Sequence, residues 1–344
     1  MKRGLILSLA AYSGTSYYFL KHPEILHRKK EKLRLPQLKE GQTKYLIAHR
    51  GGSCENPENT LQAFQHSVEL GVHVLETDVR LTKDGQLVTF HDVDFYRMSN
   101  KSDKVCDTNL DEMPLIQDKL GIHFSRSEKF QLKPHHNRQF TTLENLLLTV
   151  PKDVVVQIEI KDQYNQEALQ KTIDLIKKHG RQDTTIIGTQ NLSQSTQLHK
   201  LDQEIPLFIP GENAVKYMTF YFLGLLPFVH IQEDSASFPY MTRDYLNMKI
   251  IEAKTITWKL YPYILATMIF NYFCEPMIKH LNQRGVFTNY WVLNDDDEIR
   301  RIIRHSNIMG IMSDRPARLA QILREENDLM QELKTSKLSK ELAI

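Results

Sequence analysis

Cysteine is scarce in this 344-residue chain, and so is net charge. The three cysteines, Cys54, Cys106 and Cys274, are odd in number, scattered and in no metal-ligand spacing; they speak against a disulfide framework and for free thiols in a reducing compartment. A net charge of +2, with 41% hydrophobic and 25% charged residues, is ordinary globular composition and gives no basis for nucleic-acid binding. Long, clean apolar runs are also missing. Two uncharged aromatic stretches, residues 219–232 and 260–274, are too short to read as membrane spans and fit either the core of an insertion or a surface that touches lipid.

One further stretch, residues 4–20, carries no charge. As a helix it is about 26 Å long, close to the thickness of a thin endoplasmic-reticulum bilayer. Residues 1–40 are therefore expected to form an N-terminal membrane anchor and a basic linker. The polar content of the run (Ser8, Ser13, Thr15, Ser16 and three tyrosines) also suits a signal peptide or an interfacial helix. Lys2 and Arg3 precede it, and Lys21, Arg28, Lys29, Lys30, Lys32, Arg34 and Lys39 follow, so the positive-inside rule places the remainder on the cytosolic side. That orientation agrees with the cysteines and argues against cleavage.

From residue 45 onward, short β-rich runs alternate with longer polar stretches of helical period: 45–48, 74–79, 87–90, 154–160, 184–187, 206–209, 286–291 and 308–312. Such alternation means a parallel α/β sheet, and eight strands suggest a closed (β/α)8 TIM barrel over residues 41–325, although an open doubly wound sheet reads much the same way. Asn59-Thr60 and Gly71 bracket one of the helices. Residues 93–140 and 211–283 exceed what a crossover needs and are expected as insertions, and residues 326–344 as a charged C-terminal tail.

Unusual polar residues cluster at the strand ends. His49-Arg50-Gly51 follows an apolar strand at its C-terminal end, where barrel enzymes carry their sites. Glu76 and Asp78 stand at i, i+2 and face one side, and Glu159 and Lys161 repeat the pattern on another strand. His91-Asp92 supplies a second histidine after the strand 87–90. Close, unpaired carboxylates repel, and a divalent cation relieves them; an all-oxygen ligand set favours Mg2+, Ca2+ or Mn2+ over zinc. Each residue alone has a plainer reading, as a hydrogen-bonded structural histidine or a salt-bridged acid. Together they describe a site that cleaves an anionic ester.

His49-Arg50-Gly51, Glu58-Asn59-Thr60, Glu76-x-Asp78, His91-Asp92, Glu159-x-Lys161, Trp291-x-x-Asn294 and Asp314-x-Pro316, in that order, resemble the glycerophosphodiester phosphodiesterase family. The N-terminal run, the segment 221–231 and residues 280–294 are similar to its membrane-anchored lysophospholipase D branch. The resemblance implies that Glu76, Asp78 and Glu159 bind the metal, that His49 and His91 are general acid and base, and that Arg50 and Lys161 bind phosphate. Glu58, Asn59, Asp92, Trp291 and Asn294 support them. The implied substrate is a lysophospholipid, and a bilayer the implied partner. Water-soluble glycerophosphodiesters are the alternative substrate, and an inactive membrane lipid-binding protein is the alternative of another class. Ser313 departs from the family's usual threonine, and residues 93–140 match loosely.

Overall fold

The computed structural model describes residues 2–252 and 260–342. The strands are β1 (Tyr45–Ala48), β2 (Val74–Leu81), β3 (Leu87–Thr89), β4 (Lys119–Ile122), β5 (Ser125–Gln131), β6 (Val155–Ile160), β7 (Thr185–Gly188), β8 (Ser235–Pro239), β9 (Phe287–Trp291) and β10 (Gly310–Ser313). The helices are α1 (Lys2–Lys21), α2 (Leu61–Glu69), α3 (Tyr96–Ser99), α4 (Leu143–Thr149), α5 (Gln166–Lys178), α6 (Leu192–Leu201), α7 (Gly211–Phe222), α8 (Arg243–Glu252), α9 (Leu260–Phe273), α10 (Glu275–Gln283), α11 (Asp296–His305) and α12 (Pro316–Leu342).

Seven strands pair in parallel in the order β7-β6-β2-β1-β10-β9-β8. Leu207 bridges Ile187 and Phe208 bridges Ser235, so a short eighth segment joins β7 to β8 and makes a nearly closed barrel. Strand alternation then divides the interior into two layers. Ile47, Val74, Val155, Ile186, Phe208, Phe287 and Met312 form an apolar cluster in the lower layer. The next inward positions toward the C-terminal ends are polar or charged, because Glu76 and Asp78 follow Val74, and Gln157 and Glu159 follow Val155, at even spacing. Asp78 and Glu159 are register partners on adjacent strands. Helices cover the outside; Thr60 caps α2 by accepting from the Ala63 N–H, as the sequence signals.

Two strand assignments differ from expectation. The run 87–90 is not a barrel strand: β3 turns back antiparallel on β2, which overshoots the barrel rim. The missing barrel strand is β8, inside the stretch expected as an insertion, so residues 211–283 contain a barrel strand flanked by helices. Residues 82–154 carry the β4–β5 hairpin and a small core of their own around Phe90, Phe95 and Met98. Residues 326–342 continue α12, and Glu326 is buried against Arg300 and Arg304 of α11.

The N-terminal segment is also corrected. It is helical, but among the described residues no helix is long and apolar enough to cross a membrane. Instead, α1 leans on the barrel: Ser16 Oγ donates to the Gly224 carbonyl, and the Phe19 ring meets Phe228 edge-on. The linker behind it packs Leu33 and Leu35 on the lower apolar layer, while Lys30 and Lys32 pair with buried Asp234 at 3.2 and 3.3 Å. Basic residues after the run thus neutralise a barrel carboxylate.

His280 Nδ1 holds the Leu20 carbonyl at 2.9 Å. Burial, opposed by that bond, lowers its pKa from 6.5 to about 4. Its unfolded counterpart therefore takes up a proton first as pH falls, so its contribution to stability is full above about pH 6.5, is lost down to about pH 4, and then levels off. Urea unfolding from pH 7 to 4 should show that loss in the wild type, smaller by on the order of 2 kcal/mol in His280→Asn. Equal slopes in both proteins would contradict it.

Candidate active site

The turn after β1 carries the first half of the site. Arg50 adopts a left-handed backbone, φ 51°, which aims its N–H at Glu76 Oε2, 3.0 Å away. Few side chains tolerate that conformation without strain, and such residues collect at functional sites. Next to it, His49 Nδ1 lies 2.6 Å from Asp314 Oδ1, leaving Nε2 toward the cavity and 3.9 Å from Glu76. Asp314 also accepts from Ser53 Oγ at 2.6 Å and Asn294 Nδ2 at 2.9 Å, and its own N–H donates to Asn294 Oδ1. Burial alone would raise the Asp314 pKa, but His49 and these donors hold it at about 2. Burial likewise pushes His49 down, and Asp314 and Glu76 more than reverse it, so its pKa is raised.

The second histidine arrives by a different route from the one expected. Because β3 runs back along β2, the Phe90 N–H donates to the Asp78 carbonyl, and His91 is returned to the barrel mouth. Its Nδ1 lies 2.6 Å from Asp92 Oδ1, and Asp92 Oδ2 accepts from Arg97 Nε at 2.7 Å. Arg97 forks onto both oxygens of Glu58 at 2.8 and 2.7 Å, and Glu58 in turn accepts from Arg50 at 3.1 Å. A continuous ionic chain therefore joins the two histidine turns. The His91 pKa falls to about 3, through burial first and then the nearby Arg50 cation. Both imidazoles are oriented by an aspartate, yet their environments drive them in opposite directions, the pattern that separates an acid from a base.

Between them, Glu76, Asp78 and Glu159 offer oxygens that all lie within 4.8 Å of one another. Hard cations bind oxygen at roughly 2.0–2.6 Å, so one ion between the three can reach each of them. Burial and the Asp78 charge push Glu76 up to about 7, the mark of an acid cluster that lacks charge compensation. Asp78, although buried, is held well below the usual range by Lys161 and Arg50. Lys161 Nζ is 3.0 Å from Asp78 and 2.7 Å from Glu159, and Arg50 Nε is 3.0 Å from Asp78 without the alignment of a hydrogen bond. Asn59 donates to Asp78 at 3.3 Å and accepts from Thr77.

His49, Arg50, Glu76, Asp78, His91, Glu159, Lys161 and Trp291 line one cavity of about 990 Å3, while Glu58, Asn59, Asp92, Asn294 and Asp314 stand behind that lining and hold it. A smaller, more open depression of about 550 Å3 lies around His91, Asp92, Arg97 and Arg80. The sequence-derived site residues are thus brought together, but several partners were missed. Asp314 was visible only as part of a motif, and Arg97 and Ser53 by no signal at all. From the β4–β5 turn, Phe124 lies edge-on to His49 at 5.4 Å and to Trp291 at 5.7 Å, while His123 faces His91 at 5.2 Å. Two residues of the insertion therefore cap both histidines.

The model of the glycerophosphoryl diester phosphodiesterase family matches residues 49–318. The human protein named lysophospholipase D GDPD1 is 30% identical over 93% of this chain and 96% of its own length. A protein of Caldanaerobacter subterraneus named glycerophosphodiester phosphodiesterase is 28% identical over 81% of this chain and 98% of its own. Among solved structures, a glycerophosphoryl diester phosphodiesterase domain from Mycobacterium tuberculosis superposes with a TM-score of 0.58 at 15% identity, covering 81% of this chain and 98% of that one, which shows the shared fold.

Asp314→Asn removes the charge that orients His49 while keeping its volume. It should lower phosphodiester turnover by on the order of 10²–10⁴ with the fold intact by circular dichroism; turnover within threefold of wild type would show that Asp314 is only structural.

Proposed function

The chain belongs to the glycerophosphoryl diester phosphodiesterase family, and on that premise we propose that it is a lysophospholipase D, which cuts lysophosphatidylcholine and related lysolipids to lysophosphatidic acid and the head-group alcohol. The observation that carries this is the cavity itself: three carboxylates, two cations and two aspartate-held histidines occupy one end, and the part of the wall that α7 and α9 form is mainly apolar.

Glu76, Asp78 and Glu159 would hold a divalent cation, Mg2+ or Ca2+ with Mn2+ as a third choice, because every ligand is a carboxylate oxygen. Such an ion supplies charge neutralisation at the phosphoryl oxygens. Lys161 and Arg50, beside the same carboxylates, bind the remaining negative charge and strengthen that binding as charge builds on phosphorus. His91, held neutral by its surroundings, takes the proton of the attacking hydroxyl; His49, whose protonated form Asp314 favours, gives one to the leaving alkoxide. The attacking oxygen is the free glycerol hydroxyl of the lysolipid, which a diacyl lipid lacks, and water then opens the cyclic phosphate.

Contact with a bilayer belongs to the same proposal, as an interfacial rather than a spanning one. Supporting it, α1 leaves Leu7, Leu9, Tyr17 and Tyr18 exposed. Residence at the endoplasmic reticulum with the barrel in the cytosol stays part of this proposal, supported by the three free thiols, which suit a reducing compartment, and no longer by the positive-inside rule, which orients spanning helices only.

Purified protein should release choline from lysophosphatidylcholine, lose that activity in EDTA, and lose at least ~100-fold in His91→Ala. Glycerophosphocholine should be the poorer substrate. Faster cleavage of the soluble diester would favour the water-soluble substrate class, and absence of turnover on either would favour a binding protein.

A further inference from the structure

The cavity has two chemically distinct halves. Its catalytic half is built from the ends of β1, β2 and β6; its other half runs between α7 and α9, with Phe238 of β8 beneath. Val215 and Met218 face it from α7, and Ala266 and Phe270 face it from α9. Spacings of three and four residues put each pair on one stripe of its helix. The sequence of α9, LYPYILATMIFNYF, contains no charged residue, although the helix is an outer element of the barrel and leaves Leu265 and Met268 exposed. An outer barrel helix ordinarily presents a polar face to water.

The two helices meet at the far end. Tyr221 Oη donates to the Phe273 carbonyl at 3.1 Å, three residues beyond Met218 on α7 and three beyond Phe270 on α9. From Gly211 to Met218 the groove wall is therefore about 10 Å long before this strap. Past the strap, Phe222, Leu223, Tyr272 and Phe273 are all more than half exposed, and Tyr12 of α1 donates to the Leu223 carbonyl. The groove thus starts at the carboxylates and ends against an exposed apolar surface shared with α1.

A diester fixed at the catalytic half has two substituents to place. One is the departing alcohol; the other is the glycerol moiety with whatever it carries. We propose that the groove between α7 and α9 binds the hydrocarbon chain of the lysolipid, and that its length up to the Tyr221–Phe273 strap sets the chain-length preference. This rests on the lysophospholipase D reading and extends it from the reacting phosphate to the tail. Each methylene that leaves water for the groove adds about fourfold in binding, so selectivity rises with chain length until the wall is filled.

The test is kcat/KM for a series of saturated lysophosphatidylcholines, each below its micelle concentration, and for glycerophosphocholine, in wild type, Ala266→Trp and Val215→Trp. Val215 is 58% exposed, so a larger side chain there does not disturb the core, and unfolding midpoints check both variants. The wild type should gain on the order of tenfold per two methylenes and then level off. Both tryptophan variants should lose at least tenfold on the long chains and keep glycerophosphocholine turnover within twofold. Tyr221→Phe should move the plateau to longer chains. Wild-type chain-length dependence that survives unchanged in both tryptophan variants would place the tail elsewhere and overturn the groove. A wild type that prefers glycerophosphocholine and ignores chain length would overturn the lysolipid reading itself.

Discussion

Three carboxylates share the mouth of one barrel, and that concentration of like charge is the constraint the site is built around. Like charges about 4 Å apart repel by on the order of 4 kcal/mol per pair even at an effective dielectric of 20, and burial adds to the cost. Glu76 registers that strain by holding its proton up to about pH 7. Lys161 and Arg50 offset part of it, Asn59 and the Arg50 N–H donate into it, and the left-handed turn at Arg50 exists to aim that N–H. A divalent cation held by the three carboxylates would complete the compensation, and the same positive charge would then serve an anionic substrate.

The histidines are set by a second tier of the same electrostatics. Asp314, fixed by Ser53 and Asn294, sustains the charged form of His49; burial and the flanking cations keep His91 neutral, while Asp92 orients its ring. The Arg97–Glu58 fork ties these aspartate-histidine pairs together across the insertion. Residues 82–154 are thus part of the candidate site: they deliver His91, orient it, and cap both rings through His123 and Phe124.

Much of the site was legible because barrel geometry turns period-two spacing into position. Glu76-x-Asp78 and Glu159-x-Lys161 could only face inward together once the apolar Val74 and Val155 faced inward below them, and His49 follows Ile47 for the same reason. His91 lines the cavity, but not as the end of a parallel barrel strand, since strand direction leaves no trace in the run 87–90; its antiparallel return depends on the turn at 82–86 and on the length of β2. Ser235-Ala236-Ser237-Phe238-Pro239 lacks the β-branched residues that announce a strand, so β8 was hidden among aromatic runs. Arg97 was invisible because its partners, Glu58 and Asp92, are 39 and 5 residues away, and no local period links them. The uncharged run 4–20 suggested a span, but its hydroxyl groups bond to the barrel instead: Tyr12 and Ser16 reach the Leu223 and Gly224 carbonyls.

The central claim is that the carboxylate cluster is a cation site, and calorimetric titration of Mg2+ and Ca2+ into EDTA-stripped protein tests it most directly. The account predicts saturable binding of a single ion per chain in the wild type, weakened at least tenfold in Glu159→Gln, whose side chain keeps its shape and loses its charge. Absence of binding to the wild type, or equal affinity in both proteins, would contradict it.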